Sequence, residues 1–340
     1  MTDSAMINVR PTSQKIGMLL GPTLLAVMLF AGAPAGLEHK AWFTAAIGVL
    51  MAVWWATEAV PIAITALLPI VLFPIFGVAS IEDTVPPYAN KVTFLFLGGF
   101  IVAFAMQRWN LHRRMALKVL QYAGGNGRSL VGGFMLASAL ISMWVMNTST
   151  TMMLLPIAIS IIAVIHKTVD SLNAKSREDF QFSLLLGVAY GATIGGMATL
   201  VGTAPNAMFA AFMLENYGTS INFANWMMVG LPLSALMLPL AWVVLTRWVF
   251  KVDFTTSDEG ITALRTMRLE MGSITVPEIR VAIVFLLMAA TWVLRPLLIK
   301  LPGLAALDDS LVAIAGAILL FVVPSGDKSD PMLLRWKYAE

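Results

Sequence analysis

Cysteine is absent from this chain of 340 residues, and histidine occurs only three times. The first absence excludes a disulfide framework and any cysteine-ligated zinc or iron centre. Charge is scarce as well: 12% of the residues are Asp, Glu, Lys or Arg, against roughly 25% in an ordinary soluble domain. Hydrophobic residues make up 59%, and a chain of that balance is a polytopic membrane protein. The small basic excess, 22 Lys and Arg against 19 acids, is spread over loops and offers no patch for nucleic acid. Paired acids, a serine with a base, or a His-Glu metal set are also missing from the apolar stretches, so a membrane enzyme would lack its chemistry.

Apolar windows predict spans near residues 16–36, 41–58, 61–78, 92–107, 223–246, 279–299 and 309–324. The first follows Arg10 and Lys15 and has the outline of a signal peptide, but it is as long as a bilayer span of about 20 residues and reads as an uncleaved helix. Residues 108–128 contain Arg108, Arg113, Arg114, Lys118 and Arg128 with no acid, the strongest cytoplasmic signal in the chain. Lys167, Lys175 and Arg177 mark a second cytoplasmic loop, and Arg247, Lys251, Arg265, Arg268 and Arg280 a third. Residues 215–224 lack Lys and Arg and are expected outside. The expectation is a multi-pass protein of the cell's inner (plasma) membrane with its N-terminus, residues 1–15, in the cytoplasm.

Two long charge-free stretches carry a polar, uncharged knot. Residues 129–166 are interrupted by Asn147-Thr148-Ser149-Thr150-Thr151, and residues 181–214 by Gly195-Gly196-Met197-Ala198-Thr199 and Gly202-Thr203-Ala204-Pro205-Asn206. Amides, hydroxyls and glycines at bilayer depth are costly unless they face protein, water or a ligand, so they mark a site. Basic loops on both sides of 129–166 require that it enter and leave by one face. An arm from Ser129 to Met146 rises about 27 Å as a helix, which suits either a full crossing or a re-entrant hairpin. The hydroxyls of Ser138 and Ser142, one turn apart and leading to Asn147, favour the hairpin; close helix packing is the competing explanation for them. As one helix, residues 181–214 would span roughly 51 Å against a core of about 30 Å, so that segment must break. Gly191, Gly195, Gly196, Gly202 and Pro205 place the break at its middle, where unwound carbonyls can coordinate a cation.

Neither knot contains Lys or Arg, so a dianion there must be held by dipoles and by co-bound cations. A helix starting at Thr148 would aim free N–H groups at the knot. Asn147 can donate its amide to a carboxylate while its oxygen ligates a cation, and Thr148 can donate its hydroxyl. Other candidates have plainer readings. Glu58 ends a span beside Pro61, His39, His112 and His166 sit at span ends or in loops, Trp42, Trp109, Trp226 and Trp248 suit an interfacial belt, and Met152-Met153 suits core filling. Beyond Glu270 the pattern starts again, and Arg335-Trp336-Lys337-Tyr338-Ala339-Glu340 echoes Pro87-Tyr88-Ala89-Asn90-Lys91.

Four segments then resemble one family, the divalent anion sodium symporters that carry dicarboxylates, citrate or sulfate: Trp54-Trp55-Ala56-Thr57-Glu58-Ala59-Val60-Pro61, Phe96-Leu97-Gly98-Gly99-Phe100, Met143-Trp144-Val145-Met146-Asn147-Thr148-Ser149-Thr150-Thr151, and Gly202-Thr203-Ala204-Pro205-Asn206. The resemblance implies an all-α polytopic membrane protein. Its fold would be an inverted-repeat transporter with a re-entrant helical hairpin and a broken transmembrane helix, the second repeat incomplete in this sequence. It implies sodium bound by Ser142, Asn147, the Met146 and Gly195 carbonyls and Thr199, and substrate bound by Asn147, Thr148, Thr203 and Asn206. Met146 stands where the family's signature has Ser, and the second copy of the signature is absent from this sequence.

The expected organisation is a cytoplasmic N-terminus (1–15), scaffold spans (16–107), a basic amphipathic linker (108–128), the hairpin and broken helix (129–222), a span with a cytoplasmic loop (223–273), and the start of the second repeat (274–340). The expected function is symport of a small dianion, a C4-dicarboxylate such as succinate, into the cell by an elevator motion. No cofactor is implied beyond Na+ as coupling ion; the implied partners are the lipid bilayer and a second copy in a homodimer. Sulfate or citrate transport is the alternative within the family, and an ion channel the alternative outside it. Moving two negative charges against a negative-inside potential costs about 2.3 kcal/mol per charge per 100 mV, so two sodium ions cancel the cost and a third makes uptake voltage-driven.

Overall fold

The computed structural model describes residues 11–338 apart from residues 124, 170, 257, 328 and 329. The expected cytoplasmic segment up to residue 10, with Arg10, and the last two residues of the C-terminal echo, Ala339 and Glu340, lie outside the described residues. Every regular element among the described residues is helical, joined by two isolated antiparallel bridges, Asn126 with Thr255 and Pro324 with Met332. Among the described residues, six helical segments are long and apolar enough to cross a membrane. The chain divides into two compact units, Met1–Asn90 and Lys91–Glu340.

In the first unit, α1 (Thr12–Ala31) pairs with α2 (His39–Thr57). The pair is pinned by the Trp54 indole N–H on the Gly17 carbonyl (3.1 Å) and the Trp42 indole N–H on the Met28 carbonyl (2.7 Å). Helix α2 ends on Glu58, whose φ of 50° turns the chain left-handed, so this carboxylate marks a helix stop. The span predicted over 61–78 is instead two short helices, α3 (Ile62–Thr65) and α4 (Leu68–Ile75). Pro69 explains the difference: it has no N–H to bond the Thr65 carbonyl, and its ring clashes with that turn. Helix α5 (Ile81–Thr84) follows, capped by the Ser80 hydroxyl on the Asp83 N–H, and then a 3₁₀ turn, Pro86–Ala89.

The second unit runs α6 (Lys91–Arg108), α7 (Leu111–Leu120), α8 (Gly127–Ser142), α9 (Asn147–Thr168), α10 (Ala174–Gly196), α11 (Ala204–Tyr217), α12 (Phe223–Val243, prolonged by a π turn to Val249), α13 (Asp258–Glu270), α14 (Val276–Leu298) and α15 (Asp309–Val322). Polar side chains start five of these ten helices by accepting from orphan N–H groups: Asn126 for α8, Asn173 for α10, Asn222 for α12, Thr275 for α14 and Asp308 for α15. One apolar cluster, with Leu130, Phe134, Leu154, Ile161, Phe180 and Leu184, joins α8, α9 and α10. A second, with Met106, Phe223, Trp292, Ala313 and Leu320, joins α6, α12, α14 and α15. Within residues 108–128, α7 buries Leu111, Ala116, Leu117 and Leu120 while Arg113 and Lys118 are exposed.

Loops predicted to share one face do meet. The Gly127 N–H donates to the Phe254 carbonyl (3.0 Å), Thr256 N–H to Gly125 (2.8 Å) and Arg128 Nε to Val252 (2.8 Å). Helices α8 and α9 form the predicted hairpin with its tip at residues 143–146. Its arms are unequal, about 24 and 33 Å long. The break predicted in 181–214 lies at residues 197–203, between α10 and α11. The two Tyr residues of the C-terminal echo, Tyr88 and Tyr338, both fall in 3₁₀ turns.

Candidate functional site

Helices α8 and α10 touch backbone to backbone. A Cβ on Gly191 would lie 2.5 Å from the Met135 carbonyl oxygen, and one on Gly195 2.2 Å from that of Ala139. Only hydrogen fits in that seam. The Ser138 hydroxyl donates across it to the Val188 carbonyl (2.7 Å), so Ser138 serves packing. Ser142, one turn later and fully buried, reaches the knot.

At the tip the Ser142 hydroxyl donates to Asn147 Oδ1 (2.7 Å), and that oxygen lies 2.3 Å from where a Gly196 Cβ would be. The last glycine of α10 thus makes room for the first side chain of α9. The buried Thr199 hydroxyl donates to the Met143 carbonyl and accepts from the Gly202 N–H (3.1 Å), tying the break to the tip. Trp144 stacks on Phe223 with ring centres 5.9 Å apart and meets Phe285 edge-on at 4.9 Å, which fixes the tip against the second apolar cluster. Asn206 is buried and donates both amide hydrogens, to the carbonyls of Gly196 (2.9 Å) and Thr199 (2.8 Å). Its amide therefore orders the break, leaving Oδ1 as its remaining polar atom.

The remaining sequence candidates lie around this knot. Thr148 is exposed on the first turn of α9, and Thr203 is half-buried at the N-cap of α11. The Gly195 carbonyl accepts from the Ala198 N–H (3.0 Å) and that of Met146 from the Thr150 N–H (2.9 Å), while the Met146 side chain is 42% exposed. Thr150 and Thr151 turn their hydroxyls back to the Val145 and Asn147 carbonyls.

Helices α9 and α11 start inside the knot, and neither has a side-chain cap. Met146 cannot accept a hydrogen bond there, and Thr203 makes none as a cap. Two sets of N-terminal N–H groups are thus left to whatever the knot binds. Pro205 sits in the first turn of α11, where a missing N–H costs nothing. The knot's side chains carry no charge. It offers anions N–H groups and cations carbonyl, amide and hydroxyl oxygens.

Three residues of α12 that sequence reasoning did not assign to the site also reach the break. The Trp226 indole N–H donates to the Met197 carbonyl (3.0 Å), the Ser234 hydroxyl donates to Ile194 (2.8 Å), and Gly230 faces Met197 and Ala198. Trp226, expected in an interfacial belt, instead spends its N–H on the knot. The signal was a spacing of four residues, Trp226, Gly230, Ser234, inside an otherwise apolar helix.

The family model for the sodium:sulfate symporter transmembrane region matches residues 13–339. The chain is 36% identical over 332 residues to the sodium-dependent dicarboxylate transporter SdcS of Staphylococcus aureus strain MRSA252, covering 97% of this chain and 64% of that protein. It is 37% identical over 330 residues to the protein of the same name from strain MSSA476, covering 96% and 64%. The chain spans 64% of the length of these curated relatives.

Proposed function

Because the chain belongs to the sodium:sulfate symporter family, we propose that it serves sodium-coupled symport of a small dianion, a C4-dicarboxylate such as succinate, across the cell's plasma membrane. The observation that carries the reading is the convergence of hairpin tip and helix break on one uncharged knot, in which Ser142 meets Asn147, and Thr199 meets Met143. Neither knot segment contains Lys or Arg, so these segments offer a dianion dipoles and co-bound cations. The uncapped starts of α9 and α11 supply N–H groups to its carboxylates, with the Asn147 amide and the Thr148 and Thr203 hydroxyls alongside. Sodium takes the oxygens of Ser142, Asn147 and Thr199 and the Met146 and Gly195 carbonyls. Asn206 contributes by holding the break open. The dicarboxylate is favoured over sulfate and citrate by the names of the relatives.

Two sodium ions per succinate cancel the charge moved, and a third lets the membrane potential, worth about 2.3 kcal/mol per charge per 100 mV, drive uptake. The hairpin and broken helix, residues 129–222, form the moving part of an elevator whose scaffold includes the spans of 16–107. The working unit is a homodimer in the bilayer, with the basic loops and N-terminus in the cytoplasm. Uptake of labelled succinate into proteoliposomes, with a sodium or a choline gradient, tests the reading. Saturable uptake with sodium alone supports it, and unlabelled citrate or sulfate competing better than succinate would reassign the substrate. Uptake that does not saturate and ignores sodium would point to a channel and contradict it.

A further inference from the structure

The carbonyls at the C-terminal end of a helix have no partner within the helix, and each unpaired one is costly away from water. The broken end of α10 meets this cost from two sides. From α11, Asn206 donates to Gly196 and Thr199. From α12, Ser234 donates to Ile194 and Trp226 to Met197. Between those two, a Cβ on Gly230 would lie 2.6 Å from the Met197 oxygen and 3.0 Å from the Ala198 oxygen. Trp226, Gly230 and Ser234 lie four residues apart on one face of α12. They meet the break in reverse order, Trp226 at Met197 and Ser234 at Ile194, so α12 lies against it as an antiparallel brace.

We propose that Trp226, Gly230 and Ser234 are positioning residues that hold the α10 break in its sodium-binding shape. The inference rests on the symporter reading above. The carbonyls of Ile194, Gly196, Met197 and Thr199 are each turned toward a side-chain donor. The peptide planes on either side of the Gly195–Gly196 peptide are thereby fixed, one by Ser234 and the other by Asn206, and with them the direction of the Gly195 carbonyl, the one in the break assigned to sodium. Without the α12 donors the Met197 carbonyl seeks another partner and the Ile194 carbonyl keeps only the Met197 N–H (3.3 Å), so sodium must reorganise the break before it binds. Preorganisation of this kind sets affinity without contact.

The test is thermal denaturation of the purified full chain across a sodium chloride series, with choline chloride holding ionic strength constant. Sodium that binds the folded state raises the melting temperature in a saturable way. Trp226→Phe keeps the ring and removes the donor, and Ser234→Ala removes the hydroxyl. Each is expected to raise the half-effective sodium concentration about three- to tenfold, the size of one lost hydrogen bond. Gly230→Ala, which pushes the Met197 and Ala198 carbonyls directly, moves it further in the same direction. Ser183→Ala is the control: its buried hydroxyl bonds the Phe180 carbonyl (3.0 Å) on the same helix, away from the break, so stability falls and the sodium half-point stays. Half-points for Trp226→Phe and Ser234→Ala within about twofold of the parent, or an equal shift in Ser183→Ala, overturn the inference while leaving the symporter reading intact. A parent protein that ignores sodium overturns both.

Discussion

Across the hairpin tip the Ser142 hydroxyl donates to Asn147 Oδ1 at 2.7 Å, and the same oxygen occupies the space a side chain on Gly196 would need. Gly196→Ala would place a methyl 2.3 Å from that oxygen, so Asn147 must leave and its bond to Ser142 must break. Overpacking of this kind costs about 1–3 kcal/mol. The expected outcome is a lower melting temperature together with a fall of about tenfold or more in sodium-driven succinate uptake. Unchanged uptake at normal expression would mean that the position of Asn147 is immaterial.

Met146 occupies the N-cap of α9 without a capping bond. Met146→Ser supplies an oxygen able to accept from the Ser149 N–H, and N-caps of this type stabilise a helix by about 1 kcal/mol. The half-exposed Met side chain gives up little packing in exchange. Denaturation should show a higher melting temperature for the variant; a lower one would mean that the Met146 side chain is itself a needed contact.

Arg114 of α7 grips the start of α14. Its Nε and Nη2 meet the two Glu278 oxygens at 2.8 and 3.1 Å, and it also donates to the carbonyls of Gly272, Met271 and Ser273. Glu278 in turn closes a capping box with Thr275 and is buried. Arg114→Ala leaves that carboxylate without its counter-charge, a loss of about 3–5 kcal/mol. Arg114→Lys recovers only part of it, since a point charge cannot make the paired contact. Unfolding of the two variants, and of Arg114→Ala combined with Glu278→Gln, measures this; a double variant no more stable than Arg114→Ala contradicts it.

His112 gives the fold a pH dependence. Burial pushes its imidazole below the ordinary range, against a hydrogen-bonding contact to the Met106 carbonyl (2.9 Å) that favours the charged form, and the nearby Arg113 charge adds to the lowering. The folded state therefore binds the proton less readily than the unfolded chain. This contribution to stability is full above about pH 6.5, the unfolded value, declines as pH falls below it, and levels off below the folded value. His112→Asn should flatten the difference in melting temperature between about pH 7.5 and pH 5.5. An unchanged slope would assign the dependence to other groups.

Much of this was legible in the sequence because the bilayer simplifies the code. A run such as 181–214 is too long to be one span, and its glycines mark where it breaks. Two of the loops that basic residues assign to one face meet at Gly127 and Phe254. Residues 61–78 were misread because hydropathy is blind to Pro69, which has the right polarity for a span and the wrong backbone. Within the knot, residue type suggested that Asn206 faces substrate, yet its two donors go to carbonyls ten and seven residues earlier. The α12 brace was hidden for another reason. Trp, Gly and Ser are common in membrane helices for unrelated purposes, and only three-dimensional proximity shows that their spacing matches the broken end of α10.

On the symporter reading, an uncharged knot binds a dianion only in company with cations. Equilibrium binding of labelled succinate to the purified chain, in sodium chloride and in choline chloride of equal ionic strength, tests it most directly. Saturable binding in sodium, none in choline, and loss of the sodium-dependent signal in Asn147→Ala are expected. Equal binding in choline, or binding untouched by Asn147→Ala, would contradict it.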